Sequence, residues 1–246
     1  MFLGTGPSGG VPGKGRSRRK ESSALLQYKG KTILIDITSF FNEQRRLLST
    51  VPDAILITHG HRDATSGIAQ LGRWLRGKNI DTPIPLYTHR ETIARIKEKY
   101  KRLDFLSFHP LVPFRKTKLI GDIKVLPLSV FHALREKRYP TFGYKFFLPS
   151  GKKLVYISDT SGWSKKVQKE IKGVDIIILD GAMWGRPMFS HLDMKLITPE
   201  AKDWKVGRLI FTQIGKTAPP HEKLKSELKN LWPRAEPAFD GMKISL

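Results

Sequence analysis

"ILITHGHRDATSG", residues 55–67, runs a strand, a loop and the start of a helix together. The β-branched run ends at Thr58, and an apolar repeat of helical spacing opens from Ser66. Between them His59, His61 and Asp63 stand at alternate positions in the strand-end loop. Two imidazoles and a carboxylate at that spacing form the donor set of a trap for a divalent cation. The residue after Asp63 is Ala64, whose methyl group has no lone pair to offer.

Short apolar runs and helical patterns alternate on both sides of this stretch. Strands are expected over 32–38, 53–58, 84–88, 123–131, 143–149, 153–159, 174–180 and 208–212, where β-branched and aromatic residues lie between Gly, Pro or Asp. Helices are expected over 66–77, 90–103, 164–173 and 221–232, the third with Ser164 as its N-cap. Such alternation suits a doubly wound parallel sheet, but residues 123–159 hold three strands in succession with no helix between them. That order favours two sheets with helices outside, an α/β layered sandwich. No repeat, low-complexity tract or linker interrupts residues 1–246, so a single domain is expected.

Composition excludes several chemistries. There is no cysteine, hence no disulfide frame, thiolate nucleophile or cysteine zinc site, and any metal must be held by nitrogen and oxygen. No apolar run reaches the roughly 18 residues of a membrane span, and "MFLGTGPSGG" (1–10) lacks the basic-then-apolar order of a signal peptide. A cytoplasmic protein with no membrane partner is expected. Lys and Arg number 44 against 22 Asp and Glu, a formal charge of +22. A field of that sign concentrates RNA, DNA or nucleotides at the surface, and a bound anion relieves the self-repulsion.

The basic residues crowd at 13–20, 135–138 and 165–172 rather than in a detached tail, so binding is expected on the domain itself. "GTGPSGGVPGKGR" (4–16) is no Walker A loop: the residue five before Gly13 is Ser8, and Lys14 is followed by Gly15. It remains a glycine-rich loop able to bring backbone N–H groups, with Lys14 or Arg16, to a phosphate.

Polar residues gather at the strand ends. His132 ends "LPLSVFH" (126–132), Asp159 ends "KLVYISD" (153–159) and Gln213 ends "IFTQ" (210–213). With His59, His61 and Asp63 they form a series that resembles the metallo-β-lactamase fold superfamily. That family's motif, His-x-His-x-Asp-His, is followed by a later His, a bridging Asp and a final His. The resemblance runs nearly end to end. "FLGTGPSGGVP" (2–12) looks like the opening loop, "ILID" (33–36) the second strand and "ISDT" (157–160) the bridging-Asp turn. "SHLDMK" (190–195) is similar to the late His segment, "LIFTQIG" (209–215) to a strand ending Leu-Thr-His, and "PAFDGMKISL" (237–246) to the closing hairpin. By these landmarks the chain is similar to the phosphodiesterase branch, the cyclic ribose-phosphate phosphodiesterases and the tRNA 3′-processing endonuclease. The fold so implied is a four-layer αββα sandwich.

The resemblance implies roles residue by residue. One metal, a tightly held zinc, would take His59, His61 and His132, with a fourth position open to water. A second would take the motif Asp, the following His and the final His, and share the bridging Asp. Here Asp63 and Asp159 remain, while Ala64 and Gln213 stand where both histidines belong. Gln213 offers only a neutral amide oxygen, so a second ion would be weak and more like manganese or magnesium. The cysteine-bearing insertion that some of these phosphodiesterases use for a structural zinc is missing.

Asp36 would orient a ligand histidine rather than bind metal. Asp63 would both ligate and accept a proton from water. His191 would contact the scissile phosphate or donate a proton; its plainer reading is as the neighbour of an N-cap. Asp159 has a plainer reading as a cap of the turn into "TSGW" (160–163). Lys216 replaces a further family His and would bring a cation to phosphate, a role shared by Lys14, Arg16, Arg18, Arg19 and Lys20. His89 and His109 join no motif and read as structural, and His221 lies one residue out of step with a family His. Members of this branch often form homodimers.

Three functions follow from these expectations. The first is a metal-dependent phosphodiesterase or nuclease that acts on a nucleotide or nucleic acid through a metal-activated water. The second, suggested by Ala64 and Gln213, is a catalytically silent member that binds nucleic acid. The third is a hydrolase of another ester class, against which the charge of +22 argues.

Overall fold

A computed structural model describes residues 1–132, 140–186 and 188–245; the basic run 135–138 lies outside the described residues. Two sheets carry the chain. The first runs in sequence order through Phe2–Gly4 (β1), Ser23–Tyr28 (β2), Lys31–Ile35 (β3), Ala54–Leu56 (β4), Ile84–Thr88 (β5) and Leu106–Pro110 (β6). The second holds Thr117–Ile120 (β7), Ile123–Val130 (β8), Thr141–Phe147 (β9), Lys153–Ile157 (β10), Ile176–Asp180 (β11), Arg208–Thr212 (β12) and Ala235–Pro237 (β13), also in order. The helices Phe41–Gln44 (α1), Arg62–Thr65 (α2), Ile68–Arg76 (α3) and Arg90–Lys99 (α4) belong to the first half. Lys165–Ile171 (α5), Met194–Glu200 (α6) and His221–Leu231 (α7) belong to the second. Among the described residues no helix is long and apolar enough to cross a membrane.

The strand period of two sorts the apolar residues into three cores, and three cores need four layers. Ile33 and Ile35 of β3 face inward to meet Tyr144, Tyr156, Ile178 and Ile210 from the other sheet. Leu34 and Ile55 face outward onto Ile68, Leu71 and Leu75 of α3 and Ile96 of α4. On the far side, Val155, Ile157, Ile177 and Leu179 alternate with those inward residues and pack on Val167, Ile171, Met194, Leu224 and Leu228 of α5, α6 and α7. This is the four-layer αββα sandwich expected of the sequence. The helix-free stretch 123–159 supplies the antiparallel run β8–β9–β10. Ser164 caps α5 by accepting from the Val167 N–H.

Strand direction brings the strand ends of interest to one edge. The neighbours β3 to β6 pair in parallel, as do β10 to β13. β8 is antiparallel to β9, which is antiparallel to β10, so β8 and β10 end on the same side. One expectation fails. Among the described residues "PAFDGMKISL" does not close as a hairpin: only Ala235–Pro237 is a strand, and it pairs in parallel with β12. The segment that follows turns at Gly241 and is held by main-chain bonds to Phe2 instead.

Candidate metal centre

β4 ends inside the core, and the chain leaves it through a turn pinned by Asp36. That carboxylate, at the end of β3, is 2% exposed and accepts from the Thr58 N–H at 2.8 Å and from Thr58 Oγ1 at 3.1 and 2.9 Å. Burial pushes the Asp36 carboxyl well above the usual carboxylate range, against the two bonds from Thr58. Thr58 Oγ1 also lies 2.9 Å from His59 Nδ1. A hydroxyl has one proton, and here it goes to Asp36, so His59 Nδ1 must be the donor in that contact. The lone pair then resides on Nε2. Asp36 thus reaches His59 through Thr58 rather than by touching it.

His59 Nε2 is buried and has no hydrogen-bond partner. Burial, with the neighbouring histidines, holds the ring neutral, with a pKa down to about 3 although Asp159 opposes them. A buried lone pair without a partner is costly unless something electropositive meets it. The rings of His61 and His132 stand around it, at centroid distances of 4.7 and 5.3 Å from His59. His132 Nδ1 lies 2.9 Å from the Ser190 carbonyl oxygen and must donate to it, which puts the ring's lone pair on Nε2. That atom lies 3.3 Å from His61 Nδ1. Donor atoms of His59, His61 and His132 all fall within 4.8 Å of one another, as do those of His59, Asp63 and Asp159 and those of His132, Asp159 and His191. The residues fit a divalent cation on the chemistry of the set and on the orphaned His59 nitrogen.

Ala64 and Gln213 have their own places. Ala64, on α2, is 2% exposed and its methyl joins the apolar cluster of Ile37, Phe41 and Ile68. The short α2 turn fits because Gly67 follows it: a Cβ there would run into the Thr38 carbonyl oxygen. Gln213 was expected as a weak oxygen ligand. Its Nε2 donates to Asp159 Oδ1 at 2.6 Å and its Oε1 is buried without a partner. The Nε2 bond occupies a lone pair of Asp159, while the buried Oε1 keeps the neutral oxygen donor expected of Gln213.

The carboxylates differ in charge state. Burial, the charge of Asp159 and that of Glu21 raise Asp63 to about 7, and a bond from Gln213 partly offsets them. Asp159 is more deeply buried, but His59, His132 and His191 outweigh burial and hold it below the usual range. Asp159 faces these rings, so its role is not confined to capping a turn.

Sequence reasoning missed Asp180, the fully buried last residue of β11. It accepts from the Thr160 N–H at 2.9 Å and the Ala182 N–H at 2.8 Å, and its Oδ2 lies 2.7 Å from His191 Nδ1. It thus ties the turn after Asp159 to His191. Burial pushes His191 down, but Asp180 more than compensates and raises it to about 9, a cation at neutral pH. His191 is therefore no mere cap neighbour; Asp193 caps α6. The signal available was a carboxylate ending "VDIIILD", the same position as Asp159 in its own strand.

The cluster opens into a cleft of about 480 Å³ lined by Pro7, Ser8, His61, Arg62, Asp63, His132, Asp159, Ser190, His191 and Gln213. The glycine-rich loop reaches it, but its N–H groups are largely taken: Gly6 bonds the Lys20 carbonyl, Gly9 the Glu21 carboxylate and Gly10 the Pro7 carbonyl. Arg19 is also spent inside. It is 4% exposed and donates to Thr5 Oγ1, the Ala238 carbonyl and His221 Nδ1. That removes Arg19 from the phosphate-binding set. Lys20 is engaged with Asp240 at 3.3 Å. Lys14, Arg16, Arg18 and Lys216 are accessible, with Arg16 bridging Glu222 and Arg18 bridging Glu43. His89 caps α4 and His109 stacks on Tyr87, so both are structural as read.

An αββα sandwich with a His and Asp cluster at one edge of its strand ends defines the metallo-β-lactamase fold class. The chain belongs to the beta-lactamase superfamily, whose domain model matches residues 31–214. It is similar to a solved diphosphatase from the PhnP family, with 29% identity and a TM-score of 0.86 over 99% of this chain and 95% of that one. It is 24% identical to ribonuclease Z of Bradyrhizobium sp. (strain ORS 278), over 100% of this chain and 99% of that protein. An octanoyltransferase of Porphyromonas gingivalis is 22% identical over 98% of this chain, but the chain spans only 50% of that protein's length.

Proposed function

We propose that the protein is a metal-dependent phosphodiesterase acting on a nucleotide or nucleic acid. The observation that carries this reading is the orphaned, buried His59 Nε2 with the donor atoms of His61 and His132 within 4.8 Å. Three nitrogens suit one tightly held zinc, with His59, His61 and His132 as its ligands and Asp63 and Asp159 beside it. A cation so held supplies Lewis-acid polarisation of a phosphoryl oxygen and a lowered pKa for water. Asp63, near 7, can take up a proton at neutral pH. His191, kept cationic by Asp180, can stabilise phosphate charge or give a proton to the leaving oxygen. The accessible Lys14, Arg16, Arg18 and Lys216 would draw a polyanion toward the cleft. Among the relatives, a PhnP-family diphosphatase and a ribonuclease Z support phosphorus–oxygen chemistry.

A silent binding protein is the second reading, favoured by Ala64 in the apolar cluster and by the Gln213 amide on Asp159. Hydrolysis of an aryl phosphodiester by the zinc-loaded protein, lost in His61→Ala, supports the first. Binding of RNA with no turnover in any divalent metal would establish the second.

A further inference from the structure

A second cleft, of about 600 Å³, adjoins the metal cleft and shares His61 and Arg62 with it. Its other walls are Gly60 and Thr65 from the motif loop and α2, and Arg95, Ile96, Glu98, Lys99 and Tyr100 from the end of α4. Nothing in the chemistry described above uses it. It is fastened rather than loose. Tyr100 Oη donates to the Thr65 carbonyl at 2.9 Å, and Thr65 Oγ1 donates to the His61 carbonyl at 2.8 Å. The end of α4 is thereby tied to the backbone of a candidate ligand.

The charge in this cleft is unbalanced. Among the described residues neither Arg62 nor Lys99 has a carboxylate in ion-pair contact, although Glu98 lines the same wall. Lys99 Nζ lies 5.2 Å from the Tyr100 ring centre, and partial burial with the charge of Arg62 holds its ammonium below the usual range. Two like charges facing one cleft repel, and a dianionic or monoanionic oxygen group between them would reverse the sign of that interaction.

Resting on the phosphodiesterase reading, we propose that Arg62 and Lys99 form a subsite for a second phosphate beside the scissile one, as an oligonucleotide strand carries. The protein then selects substrates with two successive phosphates over an isolated phosphodiester. Lys99 is a specificity residue: it touches the flanking phosphate and not the reacting atoms.

The test compares the zinc-loaded wild type with Lys99→Glu and Lys99→Met on three substrates. These are a dinucleoside monophosphate, a trinucleoside diphosphate and a dinucleoside polyphosphate whose extra phosphates are joined as anhydrides. The proposal expects KM for the trinucleotide to rise roughly tenfold in both variants, with kcat unchanged and the dinucleoside monophosphate unaffected. A Lys99 effect confined to the polyphosphate would move the source of the second phosphate from a strand to an anhydride and overturn the strand assignment. Equal effects on all three substrates, or none, would overturn the subsite. Anisotropy of a labelled trinucleotide on the metal-free protein decides the matter even without turnover. Loss of Lys99 should lower the salt slope by about one, and an unchanged slope overturns the subsite whatever becomes of the phosphodiesterase reading.

Discussion

Gln213 Nε2 donates to Asp159 Oδ1 at 2.6 Å, so an amide proton rests on the carboxylate that, in the related family, bridges two metals. The same amide bonds Asp63 and lowers its pKa. Gln213 sits in the left-handed region at φ 57° and is 2% exposed, a placement set by the strand end rather than by solvent. It holds two buried carboxylates together with dipoles where the family uses a second cation.

Gln213→Glu should expose that substitution of roles. A third buried carboxylate beside Asp63 and Asp159 costs the metal-free protein about 1–3 kcal/mol, or a melting temperature lower by roughly 2–12 °C for a chain of this size. Excess manganese should restore the loss in the variant while changing the wild type less. Calorimetry with and without the ion checks this, and a variant insensitive to both would refute the role given to Gln213.

Thr58→Val removes the hydroxyl between Asp36 and His59 while keeping the side chain's shape. The His59 tautomer is then no longer enforced, and zinc affinity should fall about 10–100-fold. Competition with a chromophoric chelator measures it. An affinity within twofold of the wild type would mean that His59 is oriented by packing alone.

The pH dependence of the metal-free protein follows from His191. Its folded pKa, about 9, exceeds the ordinary histidine value of 6.5, so its contribution to stability is full below about 6.5 and is lost as pH rises through about 9. Asp63, raised to about 7 in the fold, acts in the same direction between about 4 and 7. Chemical denaturation of metal-free protein should therefore show stability falling from pH 7 to pH 9.5, and His191→Gln should flatten that fall. A profile unchanged in His191→Gln would exclude the Asp180 pair as its source.

The exposed Arg16 and Arg18 should behave oppositely to their buried neighbour Arg19. Arg16 and Arg18 are exposed, and replacing both with Ala should lower the salt slope of RNA binding by up to about two with little change in melting temperature. Arg19 is buried with its guanidinium on Thr5, Ala238 and His221. Arg19→Ala should cost about 2–4 kcal/mol and leave the slope of the folded fraction unchanged. Equal effects of the two substitutions on binding would contradict the burial of Arg19.

The sequence made the αββα layering legible because its signals were periodic. β5 and β12 fall where alternation puts them, and the helix-free run 123–159 implied a second sheet. Strands with weak apolar signal escaped: Ser23–Tyr28 mixes Ser, Gln and Tyr among its leucines, and Leu106–Pro110 is an edge strand with a polar half. In the site, residues of ligand type spaced along one motif were legible as a group, and the structure brings them together. What charge counting cannot show is partner and depth, which is why Arg19 passed for a surface cation and Asp180 for the end of an apolar strand. Both are decided by residues more than ten positions away.

The ligand set crosses the sandwich. His59, His61 and Asp63 follow β4 of one sheet, whereas His132 and Asp159 follow β8 and β10 of the other. A cation bound among them would be a rivet between two halves that also meet through apolar contact and buried hydrogen bonds. Its grip is therefore shared by strands far apart in sequence: at a thousand times its dissociation constant it adds about 4 kcal/mol to the whole molecule. Chelation should then loosen amide protons in β4 and β11 together, so that the protein's global cooperativity, and not one loop, reports on the metal.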